Sequence, residues 1–142
     1  LLEIEEPQNC TQVPLAQLLL ESDIVSVHVD GRKDNTRFCN TEFFQTMKSS
    51  SIFINTSRGI VVDSASLANH LRHDLTAKAI LDVHDPEPIQ SEYPLLYLPN
   101  VELYPHIAGK TNTATINMGW VVRDVLAVIE GETPMYEVDP AH

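Results

Sequence analysis

Short apolar segments alternate along this chain with segments of helical periodicity, and each apolar segment ends in polar residues. The apolar segments are residues 24–29, 52–54, 77–83 and 101–103. Short runs of this kind, rich in β-branched residues, are typical of buried strands. Strands that alternate with helices predict a parallel sheet with right-handed crossovers. The pattern therefore predicts an α/β fold.

The segments between the strands predict four helices, at residues 14–21, 41–47, 65–72 and about 111–130. Asp63 or Ser64 can cap the third helix, because a side-chain oxygen there accepts hydrogen bonds from free backbone N–H groups. The fourth helix is long and has a wide apolar face that includes Met118, Val122 and Val125. A face of that width predicts packing against a large apolar surface.

Composition and net charge argue against nucleic-acid and membrane partners. The chain has 142 residues and a formal net charge of −11, and so acidic a domain is a poor partner for nucleic acid. No apolar stretch approaches the roughly 20 residues that span a bilayer, and no signal peptide is recognisable. Cys10 and Cys39 have neither metal-type spacing nor a disulfide framework. These features predict reduced thiols, a cytoplasmic location and no membrane partner.

Polar residues follow each predicted strand, and parallel strands bring them to one edge of the sheet, where α/β proteins bind ligands. An arginine, several acids and histidines on one edge are suited to acid–base chemistry on an anionic substrate. Taken singly, each residue also has a structural interpretation, as a turn or solvent-exposed side chain. The residues are His28 and Val29, Asn55 to Arg58, Asp82 to Glu87, and His106.

Three of these residues have the chemistry of a catalytic set. Arg58 carries a planar, permanently charged guanidinium that can bind a carboxylate through two parallel hydrogen bonds. His106 is the natural proton carrier near neutral pH, and Glu87 can pair with it if the intervening loop returns. His70 and His73 are spaced like a metal pair on a helix, but no third ligand is evident, so no metal site is predicted.

Several motifs together resemble one known family. INTSRGIVVD, LDVHDPEP and PLLYLPNVELYPHIAGKT, with SDIVSVHV and NTRFCN upstream, look like the D-isomer-specific 2-hydroxyacid dehydrogenases. The motifs occur in the family's order and at suitable separations, from about Val13 to Val138. The resemblance implies the second half of a Rossmann-like parallel sheet with flanking helices and a long C-terminal helix.

The resemblance also implies roles and a cofactor. Arg58 would bind the carboxylate and carbonyl of a 2-oxo acid. His106 would give a proton to the carbonyl oxygen as hydride arrives from NADH, and Glu87 would pair with His106. The cofactor would be NAD, with NADP as the alternative. The residues expected to bind it are His28, Val29, Thr36, Asn55, Thr56, Ser57, Arg58, Asp82, His106, Ala108 and Gly109.

The chain departs from the family pattern at several positions. Asp30 stands where proline is usual and would lie near the adenosine; Asp74 and Lys78 replace residues that are commonly glycine. Glu87 points away from formate dehydrogenases, which have glutamine there. None of the five glycines forms a G-x-G-x-x-G turn, which supplies the main pyrophosphate site.

These departures predict a partial NAD(P)-binding domain, with residues 1–13 as lead-in, 14–131 as core and 132–142 as tail, lacking the glycine-rich half and the substrate domain. Such a chain alone should bind NAD weakly or not at all and should not turn over substrate. It should associate with itself, as a homo-oligomer such as a dimer, through an exposed strand edge. The leading function is a fragment of an oxidoreductase acting on a small 2-oxo or 2-hydroxy acid, whose identity stays open. The alternative is an NAD-sensing binding protein like the C-terminal-binding corepressors.

Overall fold

The computed structural model describes residues 10–135. Within this range the helices are α1 (Leu15–Glu21), α2 (Thr41–Thr46), α3 (Ser64–His73), α4 (Asn112–Met118) and α5 (Val121–Glu130). The strands are β1 (Ile24–Val27), β2 (Ile52–Asn55), β3 (Lys78–Leu81) and β4 (Val101–Leu103). Two short 3-10 helices, Lys33–Asn35 and Gly59–Val61, were not predicted. Most of the predicted lead-in and tail lies outside the described residues.

The sheet has the predicted parallel architecture. Its four strands lie in the order β1-β2-β3-β4, and every pair is parallel. The described residues form two compact units that divide after His106, and the sheet belongs to the first. No helix in the described range is long and apolar enough to cross a bilayer.

One apolar core lies on one face of the sheet. Buried side chains alternate along β1 and β2, where Val25, Val27 and Phe53 point into the core. Phe53 meets Phe43 and Phe44 of α2 edge-on, with ring centroids 6.1 and 5.2 Å away. Strands of a parallel sheet are normally buried on both faces. Here the opposite face is more exposed, so the prediction of fully buried strands holds for one face only.

Helix α3 begins where its capping residue predicts. The Asp63 carboxylate accepts hydrogen bonds from the backbone N–H groups of Ala65 and Ser66, both at 3.1 Å. Its apolar face places Leu67 and Leu71 in the core. Cys39 is also in the core, where burial raises the pKa of its thiol to about 12, so this cysteine packs as a small apolar residue.

The long C-terminal helix is present as two consecutive segments, α4 and α5. Gly119 and Trp120 join them and keep right-handed helical dihedral angles, while their N–H groups also bond to carbonyls three residues back. Gly131 ends α5 with a left-handed φ of 79°, as is common after a helix. The apolar side chains of these two segments are exposed in the C-terminal unit, and the packing against a large apolar surface stays a prediction.

Candidate active site

The register of the sheet brings the predicted site residues to one edge. Val27 pairs with Asn55, Asn55 with Leu81, and Leu81 with Leu103, so the four strands end level. The residues that follow each strand therefore lie side by side, at the edge where ligands bind in open α/β sheets.

Asn55 shapes the loop that carries Arg58. It is fully buried, and its Oδ1 accepts hydrogen bonds from the N–H and the hydroxyl of Ser57, at 2.9 and 2.8 Å. Its Nδ2 donates to the carbonyl of Arg58 at 3.0 Å. Asn55 is among the predicted cofactor-binding residues. In the structure both polar atoms of its side chain form hydrogen bonds within the loop, so any part in a cofactor site is indirect.

Arg58 is exposed at the tip of this loop. Its Nη1 donates to the carbonyl of Ser57 at 2.7 Å, and its aliphatic stem lies against Gly31, where an added Cβ would sit 2.9 Å from Arg58 Cγ. In the described part of the chain no carboxylate forms an ion pair with Arg58. Its remaining donors are therefore available to an anionic ligand.

Gly59 lets the Arg58 loop approach the loop that follows β3. A Cβ on Gly59 would lie only 1.9 Å from the carbonyl oxygen of His84. Real side chains do not come so close, so only glycine fits without a backbone shift. This close approach brings the Arg58 loop against the segment that carries Glu87.

Glu87 and His106 form the predicted pair. His106 Nδ1 lies 3.0 Å from Glu87 Oε2, and the backbone N–H of His84 donates to Glu87 Oε1 at 2.7 Å. The hydrogen bond from His106 is the main reason that the pKa of Glu87 is lowered from its usual value. Both side chains reach solvent, with 52% of His106 and 37% of Glu87 exposed.

The backbone of His106 is strained. Its φ is 56°, in the left-handed region that non-glycine residues seldom adopt. Such conformations persist when neighbouring contacts enforce them, and they concentrate at functional sites. Here the contact is the hydrogen bond to Glu87.

Arg58 lines two of the cavities along this edge. Arg58, Glu87 and His106 together line a cavity of about 200 Å³, so the predicted catalytic set shares one space. Arg58 also lines a second cavity of about 320 Å³ with His28, Val29 and Ser57. The arginine thus connects the acid–base pair to the side of the edge where cofactor binding is predicted.

The other predicted cofactor residues lie in several environments. Asp82 is buried just after β3, and its N–H donates to the Asn55 carbonyl at 3.0 Å. Thr56 and Thr36 are exposed and line neither cavity. Ala108 and Gly109 belong to the C-terminal unit.

Asp30, the departure from the family's proline, is neutralised by Arg32. Arg32 donates to its carboxylate from Nε at 2.9 Å and from Nη2 at 2.6 Å. This side-chain hydrogen bonding is the main cause of the lowered pKa of Asp30. Because the carboxylate is already paired, the unfavourable negative charge expected near the adenosine is largely compensated.

The two helix histidines do not form a metal pair. His73 Nδ1 lies 2.8 Å from the Asn69 carbonyl, while His70 stacks on Phe44 and burial lowers its pKa. Among the described residues no group of three potential metal-ligating side chains comes together.

Sequence reasoning gave no role to His84. It is buried behind the Glu87–His106 pair, and its ring Nε2 lies 2.8 Å from the carbonyl oxygen of Tyr104. Its place directly after a predicted strand was the available signal, but the contact to Tyr104 depends on the pairing of β3 with β4.

A parallel sheet with its functional groups at the carboxyl edge is the arrangement of a Rossmann-like nucleotide-binding domain. Residues 2–108 match the family model described as the NAD binding domain of D-isomer specific 2-hydroxyacid dehydrogenases. The chain belongs to this family, as its motifs predicted.

Known relatives agree with this assignment. The chain is 41% identical over 127 residues to a glyoxylate reductase of Thermofilum pendens, covering 89% of this chain and 38% of that protein. It is 40% identical over 121 residues to a glyoxylate reductase/hydroxypyruvate reductase of Mus musculus, covering 84% and 37%. The chain spans about two fifths of the length of these relatives.

Solved structures share the fold. The crystal structure of D-lactate dehydrogenase with NAD+ from Lactobacillus jensenii superposes with a TM-score of 0.78 at 30% identity, covering 89% of this chain and 42% of that one. The predicted Rossmann-like fold class is thereby confirmed.

Proposed function

We propose that this chain is part of the NAD-binding domain of an oxidoreductase that interconverts a D-2-hydroxy acid and a 2-oxo acid. The observation that carries the proposal is the Glu87–His106 pair at 3.0 Å, which shares a cavity with Arg58. Names of relatives, such as glyoxylate reductase, agree with this reaction class.

Arg58 binds the substrate in this proposal. A 2-oxo acid offers a carboxylate beside a carbonyl, and the guanidinium can donate to both at once. The hydrogen bond from Nη1 to the Ser57 carbonyl orients the guanidinium, and the buried Asn55 fixes the loop below it. Substrate would therefore bind in the cavity that Arg58 shares with His106.

His106 transfers the proton. Because the Glu87 carboxylate accepts a hydrogen bond, Nδ1 of His106 carries the proton that faces it. Nε2 is then the nitrogen that gives a proton to the carbonyl oxygen, or takes one from the hydroxyl in the reverse direction. The hydrogen bond to Glu87 holds the His106 ring in the orientation that this transfer needs.

The residues present fit one end of a nicotinamide dinucleotide. His28, Val29, Ser57 and Arg58 line a cavity of about 320 Å³ at the carboxyl edge, which is at the small end of ligand pockets. NADH bound there would supply the hydride. The residues proposed to hold it are those predicted from the sequence, with Asn55 acting through the loop.

The experiment uses the complete product of the gene that contains this sequence. Oxidation of NADH and of NADPH is followed with a panel of 2-oxo acids, including glyoxylate, hydroxypyruvate and pyruvate. His106→Ala should lower kcat roughly 100- to 10,000-fold, the usual contribution of a general acid. His73→Gln is the matched control, because His73 is exposed on α3 and lines neither cavity.

Two results would contradict the proposal. Full turnover by His106→Ala would mean that another group donates the proton. Tight NADH binding without turnover of any 2-oxo acid would favour the corepressor-like binding protein instead.

A further inference from the structure

His84 lies where the three parts of the proposed site meet. Its carbonyl oxygen packs against Gly59, the neighbour of Arg58, where no Cβ would fit. Its backbone N–H donates to Glu87 at 2.7 Å. Its ring reaches the carbonyl of Tyr104 at 2.8 Å, two residues before His106. His84 thus contacts the loop that carries Arg58, the side chain of Glu87 and the segment that leads to His106.

The hydrogen-bond partners of the His84 ring determine which of its nitrogens carries the proton. The carbonyl of Tyr104 can only accept, so Nε2 of His84 must donate to it. In the neutral ring Nδ1 is then an acceptor, and it faces the Tyr93 hydroxyl at 3.4 Å. Tyr93 also meets the ring edge-on, with centroids 5.6 Å apart. The ring is therefore fixed from two sides.

The hydrogen bond to Tyr104 holds the end of β4. The N–H of Tyr104 donates to the Leu81 carbonyl at 2.8 Å, and its carbonyl accepts from His84, so both of its backbone groups are bound to the β3 side. Two residues after Tyr104, His106 has a left-handed φ of 56° and its ring is hydrogen-bonded to Glu87. Releasing the Tyr104 carbonyl would let this segment relax away from Glu87.

We propose that the imidazole of His84 is a positioning residue, which sets the distance between Glu87 and His106 by binding the Tyr104 carbonyl. This inference rests on the proposed function for its catalytic meaning. The backbone N–H of His84 can donate to Glu87 in any variant. The side chain alone therefore controls the segment from Tyr104 to His106. His84 also lines the cavity that Arg58, Glu87 and His106 share, but the role proposed for its ring acts through the Tyr104 carbonyl.

The test is an NMR titration of the Glu87 carboxyl in the 142-residue chain, which needs no turnover. His84→Phe keeps an aromatic ring against Tyr93 but removes the donor, and His84→Gln restores an N–H donor. Both variants remove the direct electrostatic effect of the His84 ring on Glu87, so they are compared with each other. The pKa of Glu87 should be higher in His84→Phe than in His84→Gln, because only glutamine keeps a donor for the Tyr104 carbonyl. His73→Phe, on exposed α3 surface, is the control and should leave the titration unchanged.

A purely structural role gives a different result. It would lower the melting temperature of a folded His84→Phe variant while the pKa of Glu87 stays equal to that in His84→Gln, and that result would overturn the proposal. If His84→Phe does not fold, the tautomer of His84 in the unmodified chain decides, by long-range ¹H–¹⁵N correlation. A proton on Nε2 supports the proposal, and a neutral ring protonated on Nδ1 overturns it.

Kinetics of the complete gene product separate this inference from the proposed function. His84→Phe should lower kcat by up to about 100-fold, the scale of a small misplacement of a catalytic group, with little change in KM because Arg58 is retained. An inactive unmodified protein whose Glu87 titration still responds to His84 would contradict the function alone. An active protein whose kcat is insensitive to His84→Phe would contradict the positioning role alone.

Discussion

At the scale of single residues, the candidate site depends on how few interactions Arg58 makes. Within residues 10–135 its guanidinium donates to the adjacent Ser57 carbonyl and pairs with no carboxylate, whereas Arg32 is bound to Asp30 through several hydrogen bonds. An arginine already paired with a carboxylate would have to break that pair to bind a substrate. The structure therefore distinguishes two exposed arginines that look alike in the sequence.

The Arg58→Lys variant tests whether Arg58 binds the substrate through two parallel hydrogen bonds. Lysine keeps the charge but cannot donate two parallel hydrogen bonds, and one charge-assisted hydrogen bond is worth about 1.5–3 kcal/mol. In the complete gene product kcat/KM for a 2-oxo acid should fall roughly 10- to 150-fold. Arg72→Lys, at an exposed position on α3 that lines neither cavity, is the control, and an unchanged kcat/KM in Arg58→Lys would refute the assigned role.

Asp74, which replaces a common glycine, makes stability depend on pH. A hydrogen bond from the Thr76 hydroxyl is the main cause that lowers the pKa of Asp74 to about 2, and the N–H of Ser50 contributes. A lowered pKa stabilises the fold above the ordinary value of 3.8, and this contribution is lost as the pH falls toward about 2. Asp74 therefore ties the turn after α3 to the turn before β2.

The Asp74→Asn variant checks this dependence by thermal unfolding. The unmodified chain should melt at a higher temperature than the variant at pH 6, and the difference should shrink as the pH falls from about 4 to about 2. Asp34→Asn, on an exposed 3-10 helix, is the control. A difference that is constant with pH would show that the Asp74 charge has no such role.

At the scale of secondary structure elements, the level ends of β1 to β4 decide which residues meet. A shift of one residue in the pairing of β3 with β4 would turn the side chains of β4 to the other face and move Tyr104 away from His84. Register is fixed by the alternating buried positions in β1, β2 and β3. Core packing on one face of the sheet thereby aligns the active-site edge.

The Gly59→Ala variant tests the close approach of the Arg58 loop to the loop that follows β3. Its Cβ would overlap the His84 carbonyl oxygen, 1.9 Å away, and overpacking of this kind costs about 1–3 kcal/mol. Urea unfolding should show that loss of stability. Gly109→Ala is the matched control, because nothing lies within 4 Å of its added Cβ, and its effect should stay within about 0.5 kcal/mol. Equal stability of the two variants would contradict the close approach.

At the scale of the whole molecule, the expectation concerns how much of a cofactor-binding surface this chain supplies. The sequence has no G-x-G-x-x-G turn, and helix N-termini with such turns are the usual pyrophosphate sites. The acidic net charge of −11 also repels a dianionic dinucleotide. Cofactor affinity is therefore expected to be low in this chain alone.

Isothermal titration of the 142-residue chain with NADH measures this directly. We expect weak binding or none, because the main contacts to the pyrophosphate are missing. The complete gene product is the control and should bind more tightly if it contains the glycine-rich turn. Low-micromolar affinity of the 142-residue chain would refute the prediction.

Self-association is expected from two exposed apolar surfaces. Within residues 10–135, β1 is paired on one side only, and its Ile24 is 58% exposed; an open edge of this kind promotes pairing with another chain. The apolar face of α4 and α5, including Val122 and Val125, is a second exposed surface.

Sedimentation velocity over a range of concentrations tests this expectation. The sedimentation coefficient should rise with concentration, and Ile24→Lys and Val125→Glu would show which surface is responsible by suppressing that rise. Lys78→Glu, on an exposed position of the central strand β3, is the control. A monomer at every concentration would contradict the prediction.

The sequence by itself determined the elements and the chemical groups of this protein. Apolar runs and polar strand ends are local features, so the strands, the Asp63 cap and the grouping of Arg58, Glu87 and His106 at one edge of the sheet could be predicted from them. Family motifs added the cofactor and the reaction class. Short 3-10 helices were missed because their weak local preferences depend on contacts such as that of Gly59.

Only the tertiary structure decided which of these groups act on each other. The burial of Asn55, the pairing of Asp30 with Arg32 and the contact of His84 with Tyr104 join residues through loops and through strand register, which local patterns do not specify. The exposed C-terminal apolar face was likewise hidden from the sequence, because periodicity shows that a face is apolar but not what covers it. Long-range packing, which no short window of residues contains, is the physical reason for each of these differences.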